Sequence, residues 1–473
     1  MAASLAGSGP SGRALVAIVL AVSALAVAAV QPAPALPPDT RLNVVVIVTD
    51  DQSPDSFPHD PPIMPKLQGM VEDLDDHWVS FPQAFVSTPL CCPSRASILT
   101  GRYDVHTGVR KNFDGDLFDP SETIAAWLRE AGYHTGLIGK YLNGYPFDRA
   151  PFVPDGWDRW LAKEQGAQSS AYHDFVLIDQ GFPVPYGAGS QDYFTDVVAG
   201  AAVDFIRSAP PDDPFFLMLT PTAPHRPWTS APRHAGAYDE IARPVAPSIG
   251  ESDVSDKPRW VQTLPQPTRA RRAQLSDIRR RSFEALLAVD DLVADVIAAL
   301  SERGVLDRTV VFFLTDNGFS FGEHRWMGKT CPYEECIGTP LLIRMPGAQA
   351  REDPHLVSNV DLAPTIAQLT GISLSAPMDG LSLVPLVDGS SVEWRTAVFL
   401  DYVGDAQVPG WAGIRTDDHL YIEYVTGERE LYDLTGTLGS ADPFQLDNRA
   451  ADPAYAVLLT ELSAELNRLQ PDA

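Results

Sequence analysis

Residues 42–51 read LNVVVIVTDD, a run of apolar and β-branched residues, interrupted by Asn43, that leads into two carboxylates. A run of this kind is typical of a strand buried on both faces, as in the parallel sheet of an α/β protein. Four further apolar runs share this character and predict strands at residues 135–138, 215–220, 309–315 and 341–345. Helical patterns lie between them, and this alternation predicts a doubly wound, mostly parallel α/β sheet.

The helical patterns carry recognisable start and stop signals. Ser121 is expected to cap a helix that runs through Glu130 and is closed by Gly132. A longer amphipathic helix is predicted for residues 281–303, with Gly304 ending it. The Pro-rich residues 244–267 are expected to form a long surface excursion.

The pattern changes after about residue 390. Short segments at residues 398–402, 412–415, 419–424 and 430–432 predict antiparallel strands, and residues 455–469 predict a helix that covers them. We therefore expect three regions: residues 1–38 as an export segment, residues 39–390 as the main α/β domain, and residues 391–473 as a smaller C-terminal α+β subdomain.

Composition excludes several classes of protein. The chain has 473 residues, of which 45% are hydrophobic and 21% charged, so it is neither disordered nor fibrous. Its formal charge of −27 argues against nucleic acid and anionic membranes as partners. Four cysteines are too few for a disulfide scaffold, and Cys331 and Cys336 could either pair or remain free thiols.

The N-terminus has the pattern of a signal peptide. Arg13 precedes an uncharged, mostly apolar run at residues 14–30, and a Pro/Ala-rich stretch follows to Pro38. Cleavage could follow residues 26–28 or 33–35, and an uncleaved anchor is the alternative, although the run is short for a membrane span. We expect an exported protein without a stable membrane span after cleavage. The absence of an Asn-x-Ser/Thr sequon favours a bacterial source.

Two predicted strands end in groups that could hold a metal. Asp50 and Asp51 follow the first strand, and Asp316 and Asn317 follow a later one. In open α/β sheets ligands collect at the carboxyl ends of strands, and an all-oxygen set suits Ca²⁺ or Mg²⁺. The alternative is that each Asp caps the helix after its strand.

The most specific motif is residues 91–102, CCPSRASILTGR. Pro93 and Ser94 fit the first turn of a helix, so a group at Cys91 would face a helix N-terminus, which favours an anion. Arg95 adds a fixed positive charge. These features predict an oxyanion pocket with a nucleophile at its mouth, and a buried thiol beside a helix start is the alternative.

The spacing Cys-x-Pro-Ser-Arg-x-x-x-Leu-Thr-Gly-Arg resembles the signature of the type I sulfatases, formylglycine-dependent sulfuric ester hydrolases with an alkaline-phosphatase-like fold. The resemblance extends over about residues 43–386, and the C-terminal segment is similar to the smaller domain of the family. The stretches GKYLN (139–143), APHRPW (223–228) and AVDDLV (288–293) are most similar to the N-acetylglucosamine-6-sulfatase and extracellular endosulfatase branch.

The resemblance implies a modified nucleophile at Cys91. In this family the first cysteine of the signature is oxidised to Cα-formylglycine by a formylglycine-generating enzyme, which would be a partner in biosynthesis. The hydrated aldehyde attacks sulfur and later expels sulfate. The resemblance also implies a Ca²⁺ ion, with Mg²⁺ as the alternative, held by Asp50, Asp51, Asp316, Asn317 and the modified Cys91.

Further roles follow from matching positions in the family. Arg95 would hold the nucleophile and the developing charge, Lys140 and Lys329 would bind the sulfate group, and His225 would be the general acid for the leaving oxygen. The sequence departs from many sulfatases at Leu142, where those proteins have a histidine. The next residue, Asn143, could hydrogen-bond the nucleophile and contact substrate, but it cannot act as a base.

The remaining polar residues have weaker signals. His106 and His324 match no family role and are expected to be structural or to line the substrate site. A basic cluster predicts either a solvated helix face or a rim that attracts a sulfated polymer; its members are Arg269, Arg271, Arg272, Arg279, Arg280 and Arg281.

The resemblance implies a sulfated carbohydrate or an aryl sulfate ester as substrate. Two alternatives remain: a phosphodiester or phosphonate monoester hydrolase of the same superfamily, and a non-catalytic glycan-binding member. The residue types of the proposed site favour an enzyme, because a binding protein needs no nucleophile.

Overall fold

The apolar run at the start of the main domain forms β1 (Asn43–Thr49), a fully buried strand in the middle of a ten-stranded sheet. The computed structural model describes residues 41–145, 152–164, 171–211, 213–241, 246–374 and 376–471. The predicted signal peptide and its cleavage sites lie outside the described residues.

The described residues form eighteen strands, numbered in chain order. They are β1, β2 (Trp78–Ser80), β3 (Ala84–Phe85), β4 (His134–Gly139), β5 (Arg159–Lys163), β6 (Val176–Asp179), β7 (Phe182–Pro185), β8 (Phe215–Thr220), β9 (Thr309–Thr315), β10 (Ser320–Phe321), β11 (Met327–Gly328), β12 (Leu341–Arg344), β13 (Arg351–Glu352), β14 (Val357–Ser358), β15 (Ala397–Tyr402), β16 (Trp411–Thr416), β17 (His419–Tyr424) and β18 (Arg429–Asp433).

The large sheet has the strand order β13-β2-β12-β9-β1-β8-β4-β5-β6-β7. Its centre, from β9 to β5, is parallel, whereas β12, β6 and β7 pair antiparallel with their neighbours. All five predicted strands of the main domain are present, and the predicted doubly wound, mostly parallel sheet is confirmed. Because β1, β8 and β9 run in the same direction, the residues that follow them meet at one edge of the sheet.

Eleven α-helices flank the sheets in the described part of the chain. They are α1 (Pro65–Glu72), α2 (Cys91–Thr100), α3 (Asp104–Thr107), α4 (Ile124–Glu130), α5 (Phe194–Ser208), α6 (Arg259–Gln262), α7 (Arg269–Glu302), α8 (Glu334–Ile337), α9 (Leu362–Thr370), α10 (Val384–Val387) and α11 (Ala456–Leu469). Among the described residues, none of these helices combines the length and apolar character that crossing a membrane requires.

Two of the predicted helix starts were wrong. Thr123, not Ser121, caps α4, because the Thr123 side chain accepts from the N–H of Ala126 at 3.2 Å while Ser121 lies in a preceding 3₁₀ turn. The long helix α7 begins at Arg269 instead of residue 281. Thr268 caps it, and the buried Leu275 extends its apolar face through the charged N-terminal turns.

The described part of the Pro-rich segment, residues 246–267, matches the predicted surface excursion only in part, because buried residues alternate with exposed ones. Val254, Trp260 and Val261 are buried, and they pack in the same cluster as the C-terminal strands. Lys257 is buried as well and donates a hydrogen bond to the hydroxyl of Tyr432 at 2.8 Å. The apolar residues between the prolines therefore anchor this segment to the C-terminal sheet.

The C-terminal sheet is antiparallel, in the order β15-β16-β17-β18, and α11 packs against it as predicted. A buried acid pair joins its first strand to the main domain. Asp401 of β15 contacts Asp104 of α3, accepts from the Thr88 hydroxyl at 2.8 Å, and lies 3.4 Å from Arg110. Burial and the neighbouring Asp104 raise the pKa of Asp401 to about 8.

Candidate active site

The carboxyl edge of the parallel strands brings the predicted metal ligands together. Asp50 and Asp51 follow β1, and Asp316 and Asn317 follow β9. Asp51 has a φ of 61°, a left-handed conformation that is costly for a non-glycine residue, and its N–H donates to Asp316 Oδ1 at 3.2 Å. One ligand atom from each of Asp50, Asp51, Cys91 and Asp316 lies within 4.8 Å of the others.

Cys91 is the first residue of α2, a helix whose ten residues are all buried. Its Sγ lies 3.5 Å from Asp50 Oδ1 and accepts from Lys329 Nζ at 2.7 Å. Burial raises the pKa of this thiol, and the nearby ammonium groups of Lys140 and Lys329 only partly offset that effect.

Three cations are paired with the three carboxylates; Arg95 and Lys140 are buried, and Lys329 is partly exposed. Lys140 Nζ donates to Asp50 Oδ2 at 2.6 Å, and Lys329 Nζ donates to Asp51 Oδ1 at 2.6 Å. Burial alone would raise the pKa of Asp50 and Asp51, but these cations hold both below the usual range. The two carboxylates therefore stay ionised inside the protein.

Arg95 connects the third carboxylate, Asp316, to the backbone of Lys140. Its Nε donates to Asp316 Oδ2 at 2.8 Å, and its Nη1 donates to the carbonyl oxygen of Lys140 at 3.1 Å. Burial, together with the charge of Asp50, still raises the pKa of Asp316. The fork of Arg95 thus ties α2 to the ends of β4 and β9.

The donor set fits a hard cation. Asn317 donates from Nδ2 to Asp51 Oδ1 at 2.7 Å, while its Oδ1 is buried and accepts no hydrogen bond from the described residues. A buried amide oxygen without a donor is costly, and a cation would satisfy it. Carboxylate and amide oxygens are ligands that Ca²⁺ and Mg²⁺ prefer.

His225 lies at the mouth of this cluster and is partly exposed. Its Nε2 is 3.6 Å from Asp51 Oδ2, and its Nδ1 is 2.8 Å from the carbonyl oxygen of Arg226. The carbonyl oxygen can accept only from a protonated Nδ1, which leaves Nε2 facing the carboxylate cluster.

Leu142 and Asn143, where the sequence departs from many sulfatases, have different surroundings. Leu142 is fully buried in the hydrophobic core and cannot act at the site. Asn143 lines the cavity beside Lys140, and its Oδ1 is buried with no donor among the described residues. Its backbone N–H donates to Cys92 Sγ at 2.8 Å, which gives the second cysteine of the signature a structural contact.

The two unassigned histidines lie outside the cluster. His106 Nδ1 is 2.8 Å from Asp379 Oδ2. His324 is buried, with Nδ1 2.8 Å from Glu251 Oε2, and its ring centre lies 4.0 Å from that of Tyr333. Both make structural contacts, and neither is among the residues that line the two cavities described next.

Two cavities open on either side of the His225 segment. One has a volume of about 520 Å³ and is lined by Asp50, Lys140, Asn143 and Lys163. The other has a volume of about 440 Å³ and is lined by Asp51, Lys329, Trp326 and residues of the loop after β15. His225, Arg226 and Trp228 line both cavities and form the wall between them.

Several cavity residues were missed by sequence reasoning. Lys163 is the last residue of β5, which the apolar pattern did not predict as a strand. Asp405 and Gln407 reach the second cavity from the loop after β15, although no motif marks them. For Lys163 the one available signal was the scarcity of lysine, which occurs six times in the chain.

The other polar features have plain structural roles. Cys331 and Cys336, for which the sequence left both states open, form a disulfide. In the basic cluster, Arg279 pairs with Asp55, and Arg280 pairs with Asp239 at 2.8 Å. Arg269, Arg271 and Arg272 are exposed, as the solvated-face interpretation predicts, whereas the buried Arg279 does not lie on a solvated face.

Comparisons with known proteins agree with this geometry. The sulfatase family model matches residues 42–372, and the C-terminal model of N-sulphoglucosamine sulphohydrolases matches residues 322–472. Human N-acetylglucosamine-6-sulfatase is 34% identical over 386 residues, covering 78% of this chain and 68% of that protein. The extracellular sulfatase SULF-1 homolog of Drosophila melanogaster is 31% identical over 363 residues, covering 74% of this chain and 31% of that protein.

Solved structures share the fold. A protein in complex with its substrate, D-glucosamine-2-N,6-O-disulfate, has a TM-score of 0.78 and 25% identity, over 91% of this chain and 97% of that one. The phosphonate monoester hydrolase of Agrobacterium radiobacter has a TM-score of 0.73 and 21% identity, over 91% and 95% of the two chains, which shows likeness of fold alone. With a family model over most of its length and relatives above 30% identity, this chain belongs to the sulfatase family, the enzymes that hydrolyse sulfate esters.

Proposed function

We propose that this sulfatase releases sulfate from a sulfated sugar, with the 6-O-sulfate of a glucosamine unit as the favoured target. One observation carries the proposal: Cys91 lies among three carboxylates and three cations, and members of this cluster line two cavities. The names of the relatives, and the disulfated glucosamine in the most similar solved structure described above, support the choice of sugar.

The carboxylate cluster would hold Ca²⁺, with Mg²⁺ as the alternative. Asp50, Asp51, Asp316 and Asn317 would be its ligands, together with the modified Cys91. A bound cation supplies positive charge that orients a sulfate oxygen and lowers the pKa of a hydroxyl group bound to it.

Cys91 is the proposed site of conversion to formylglycine, carried out by a formylglycine-generating enzyme during biosynthesis. The hydrated aldehyde would supply the nucleophile for attack on sulfur. The raised pKa of the Cys91 thiol supports this assignment, because an unmodified side chain in this position would stay protonated and be a weak nucleophile.

The other side chains act on the sulfate group and the leaving oxygen. Lys140 and Lys329 offer ammonium groups close to Cys91, so they would bind the sulfate oxygens and stabilise their charge. Arg95 would position the nucleophile through its contacts to Asp316 and to the Lys140 carbonyl. Protonated His225 would keep its Nδ1–H on the Arg226 carbonyl and donate its Nε2 proton to the leaving sugar oxygen. Asn143, the predicted further substrate contact, could hydrogen-bond the substrate or the nucleophile from the cavity wall.

Export is part of the proposal. The Cys331–Cys336 disulfide is typical of an oxidising compartment, and two relatives of this chain are named as extracellular sulfatases. The bacterial source and the boundary between residues 390 and 391 stay predictions.

The test uses protein produced together with a formylglycine-generating enzyme. Mass spectrometry of the Cys91 peptide should find formylglycine, and the same preparation should hydrolyse N-acetylglucosamine 6-sulfate and an aryl sulfate. Cys91→Ala should abolish turnover while its melting temperature stays close to that of the wild type.

Two results would redirect the assignment. Faster hydrolysis of a phenyl phosphonate ester than of either sulfate ester would favour the phosphonate hydrolase alternative. Calcium-dependent sugar binding without turnover, in protein shown to carry formylglycine, would favour the glycan-binding alternative.

A further inference from the structure

The two proposed sulfate-binding lysines are held by different parts of the fold. Lys140 directly follows β4 of the large sheet, whereas Lys329 lies in a loop between the two-residue strand β11 and the Cys331–Cys336 disulfide. The Lys329 Nζ nevertheless contacts Asp51 Oδ1 at 2.6 Å and Cys91 Sγ at 2.7 Å. A displacement of about 1 Å can greatly weaken a positioned group, so contacts outside the lysine side chain must fix this loop.

The residue after Lys329 has a strained backbone. Thr330 has a φ of 73°, a left-handed conformation that a β-branched residue keeps only when its surroundings enforce it. It is 5% exposed, and both of its backbone polar groups are paired. Its N–H donates to the carbonyl oxygen of Pro89 at 3.1 Å, and its carbonyl oxygen accepts from Trp411 Nε1 at 2.9 Å. The first bond joins the loop to the segment just before Cys91, and the second joins it to β16.

Two indole groups hold successive carbonyl groups of this loop. Trp326 Nε1 donates to the carbonyl oxygen of Lys329 at 3.1 Å, but Trp326 lies between β10 and β11 and so belongs to the same local segment. Trp411 is the first residue of β16 in the C-terminal sheet, and it is 3% exposed. Because a buried carbonyl oxygen without a donor is costly, the Trp411 N–H favours the observed orientation of the Thr330 carbonyl. The Trp411 contact therefore fixes the loop relative to a separate sheet.

We propose that Trp411 is a positioning residue, whose indole N–H maintains the left-handed conformation of Thr330 and thereby holds the Lys329 ammonium group beside Cys91. The inference rests on the proposed sulfatase function, in which Lys329 binds the sulfate group. It gives the C-terminal sheet a part in the reaction, although Trp411 lines neither of the two cavities.

The kinetic test is a double-mutant cycle on the formylglycine-bearing enzyme, with N-acetylglucosamine 6-sulfate and an aryl sulfate as substrates. Trp411→Phe keeps an aromatic ring and removes the N–H. It should lower kcat/KM about tenfold on both substrates, because Lys329 acts on the sulfate group that they share. In a Lys329→Met background the same substitution should change kcat/KM by less than about twofold, since no ammonium group is left to position.

Trp394→Phe is the matched control. Trp394 Nε1 donates to the carbonyl oxygen of Leu356 at 2.7 Å, and neither residue lines the two cavities. This substitution should leave kcat/KM within about twofold of its parent, with or without Lys329. Trp411→Met, whose flexible side chain adapts to the space of the indole, is a second variant with the same expectation as Trp411→Phe.

Two kinetic results would overturn the proposal. If Trp411→Phe and Trp411→Met lowered kcat/KM as much without Lys329 as with it, the contact would have a general structural role. If both variants kept the wild-type kcat/KM, the indole N–H would not be needed to position the lysine.

Two further readouts need no turnover. In calorimetry, Cys91→Ala/Trp411→Phe should bind inorganic sulfate about tenfold more weakly than Cys91→Ala, and the loss should disappear when Lys329→Met is also present. In a crystal structure of Trp411→Phe, Lys329 Nζ should lie away from Asp51 and Cys91, and an unchanged position would overturn the proposal. Failure of the wild type to hydrolyse either ester would instead refute the proposed function, and the crystal structure would still decide the role of Trp411.

Discussion

The protein contains two clusters of buried carboxyl groups that differ in how they are charged. At the candidate active site, Asp50, Asp51 and Asp316 face three cations, two of them buried, and the pKa values of Asp50 and Asp51 lie below their usual range. At the junction with the C-terminal sheet, Asp104 and Asp401 both pair with Arg110, whose side chain is 43% exposed, and the pKa of both carboxyl groups is raised.

The difference shows that burial alone does not decide whether a carboxyl group is ionised. Both clusters are almost fully buried, so the cost of removing water is similar in the two places. The number and burial of neighbouring cations differ, and they decide which cluster presents negative charge to a ligand and which one retains a proton. The active site therefore presents ionised carboxylates that can bind a cation. The junction instead contains a carboxyl group whose protonation changes with pH.

The largest contrast is expected when one arginine is removed from each cluster. Arg95→Met leaves Asp316 buried and unpaired, so we expect a loss of roughly 3–5 kcal/mol in the free energy of unfolding. Activity should fall about 100-fold or more, because a positioned charge at the reaction centre is lost. Chemical denaturation and sulfate-ester kinetics measure the two effects.

Arg110→Met is the matched substitution at the junction. Its guanidinium is partly in solvent, so we expect a loss of about 1 kcal/mol or less, with activity within about twofold of the wild type. Equal losses from the two substitutions would contradict the proposed difference between the clusters.

Removal of the metal should give the next largest difference between the two clusters, because only the active-site cluster is proposed to bind a metal. Dialysis against a calcium chelator should lower activity about 100-fold or more and reduce the melting temperature, because a ligand that binds only the folded state stabilises it by about 2.7 kcal/mol at 100 times its Kd. Added Ca²⁺ should restore both. Asp401→Asn protein should show the same chelator-induced change as the wild type, whereas Asp51→Asn protein should show none.

A smaller effect is expected from pH at the junction. The unfolded chain ionises Asp401 near pH 3.9, and the folded chain does so only near its raised pKa of about 8. The stability that the retained proton provides is therefore complete below about pH 4 and is lost as the pH rises towards 8. Asn mimics the protonated carboxyl, so Asp401→Asn should gain roughly 1–3 kcal/mol on the wild type at pH 8.5 and little at pH 5.

Melting curves between pH 5 and pH 9 measure this gain. The exposed Asp116 offers a control, since Asp116→Asn should follow the wild type at every pH. A constant difference between Asp401→Asn and the wild type across this range would show that Asp401 does not titrate there.

The smallest effect concerns the hydroxyl that contacts Asp401. Thr88→Val removes one buried hydrogen bond of 2.8 Å and should cost about 1 kcal/mol. That bond favours the ionised carboxylate, so its loss should also move the pH dependence of stability to a higher pH. Thr88→Ser keeps the hydroxyl group and should preserve the wild-type pH profile.

Much of the main sheet could be predicted because its central strands are buried on both faces. The strands at residues 215–220 and 309–315 were predicted with their observed limits, since continuous apolar runs mark them. β5 and β6 were missed because they are short and begin or end in the charged residues Arg159, Lys163 and Asp179. β7 was missed because this edge strand is fully exposed and carries Pro183 and Pro185. The start of α7 was missed because its first turns are held by a capping threonine and few apolar contacts.

Site residues that directly follow predicted strands could be predicted from the sequence. Site residues that are placed by long-range packing could not. Asp50, Asp51, Asp316 and Asn317 were singled out from their positions after strands, and the structure brings them together. Their chemical roles stay predictions. Lys163 and Gln407 carry no motif. The place of Lys163 at its cavity depends on strand register, and that of Gln407 depends on the loop after β15.

The burial of Cys91 constrains the order in which the chain is modified, folds and binds its metal. Its side chain is 1% exposed, and every residue of its helix is covered by the folded chain. An enzyme that modifies Cys91 could reach it only by undoing much of the core, at a cost close to that of global unfolding. The proposed maturation therefore has a fixed sequence: modification on the nascent chain, then folding, and metal binding last, once residues 50 and 316 have met.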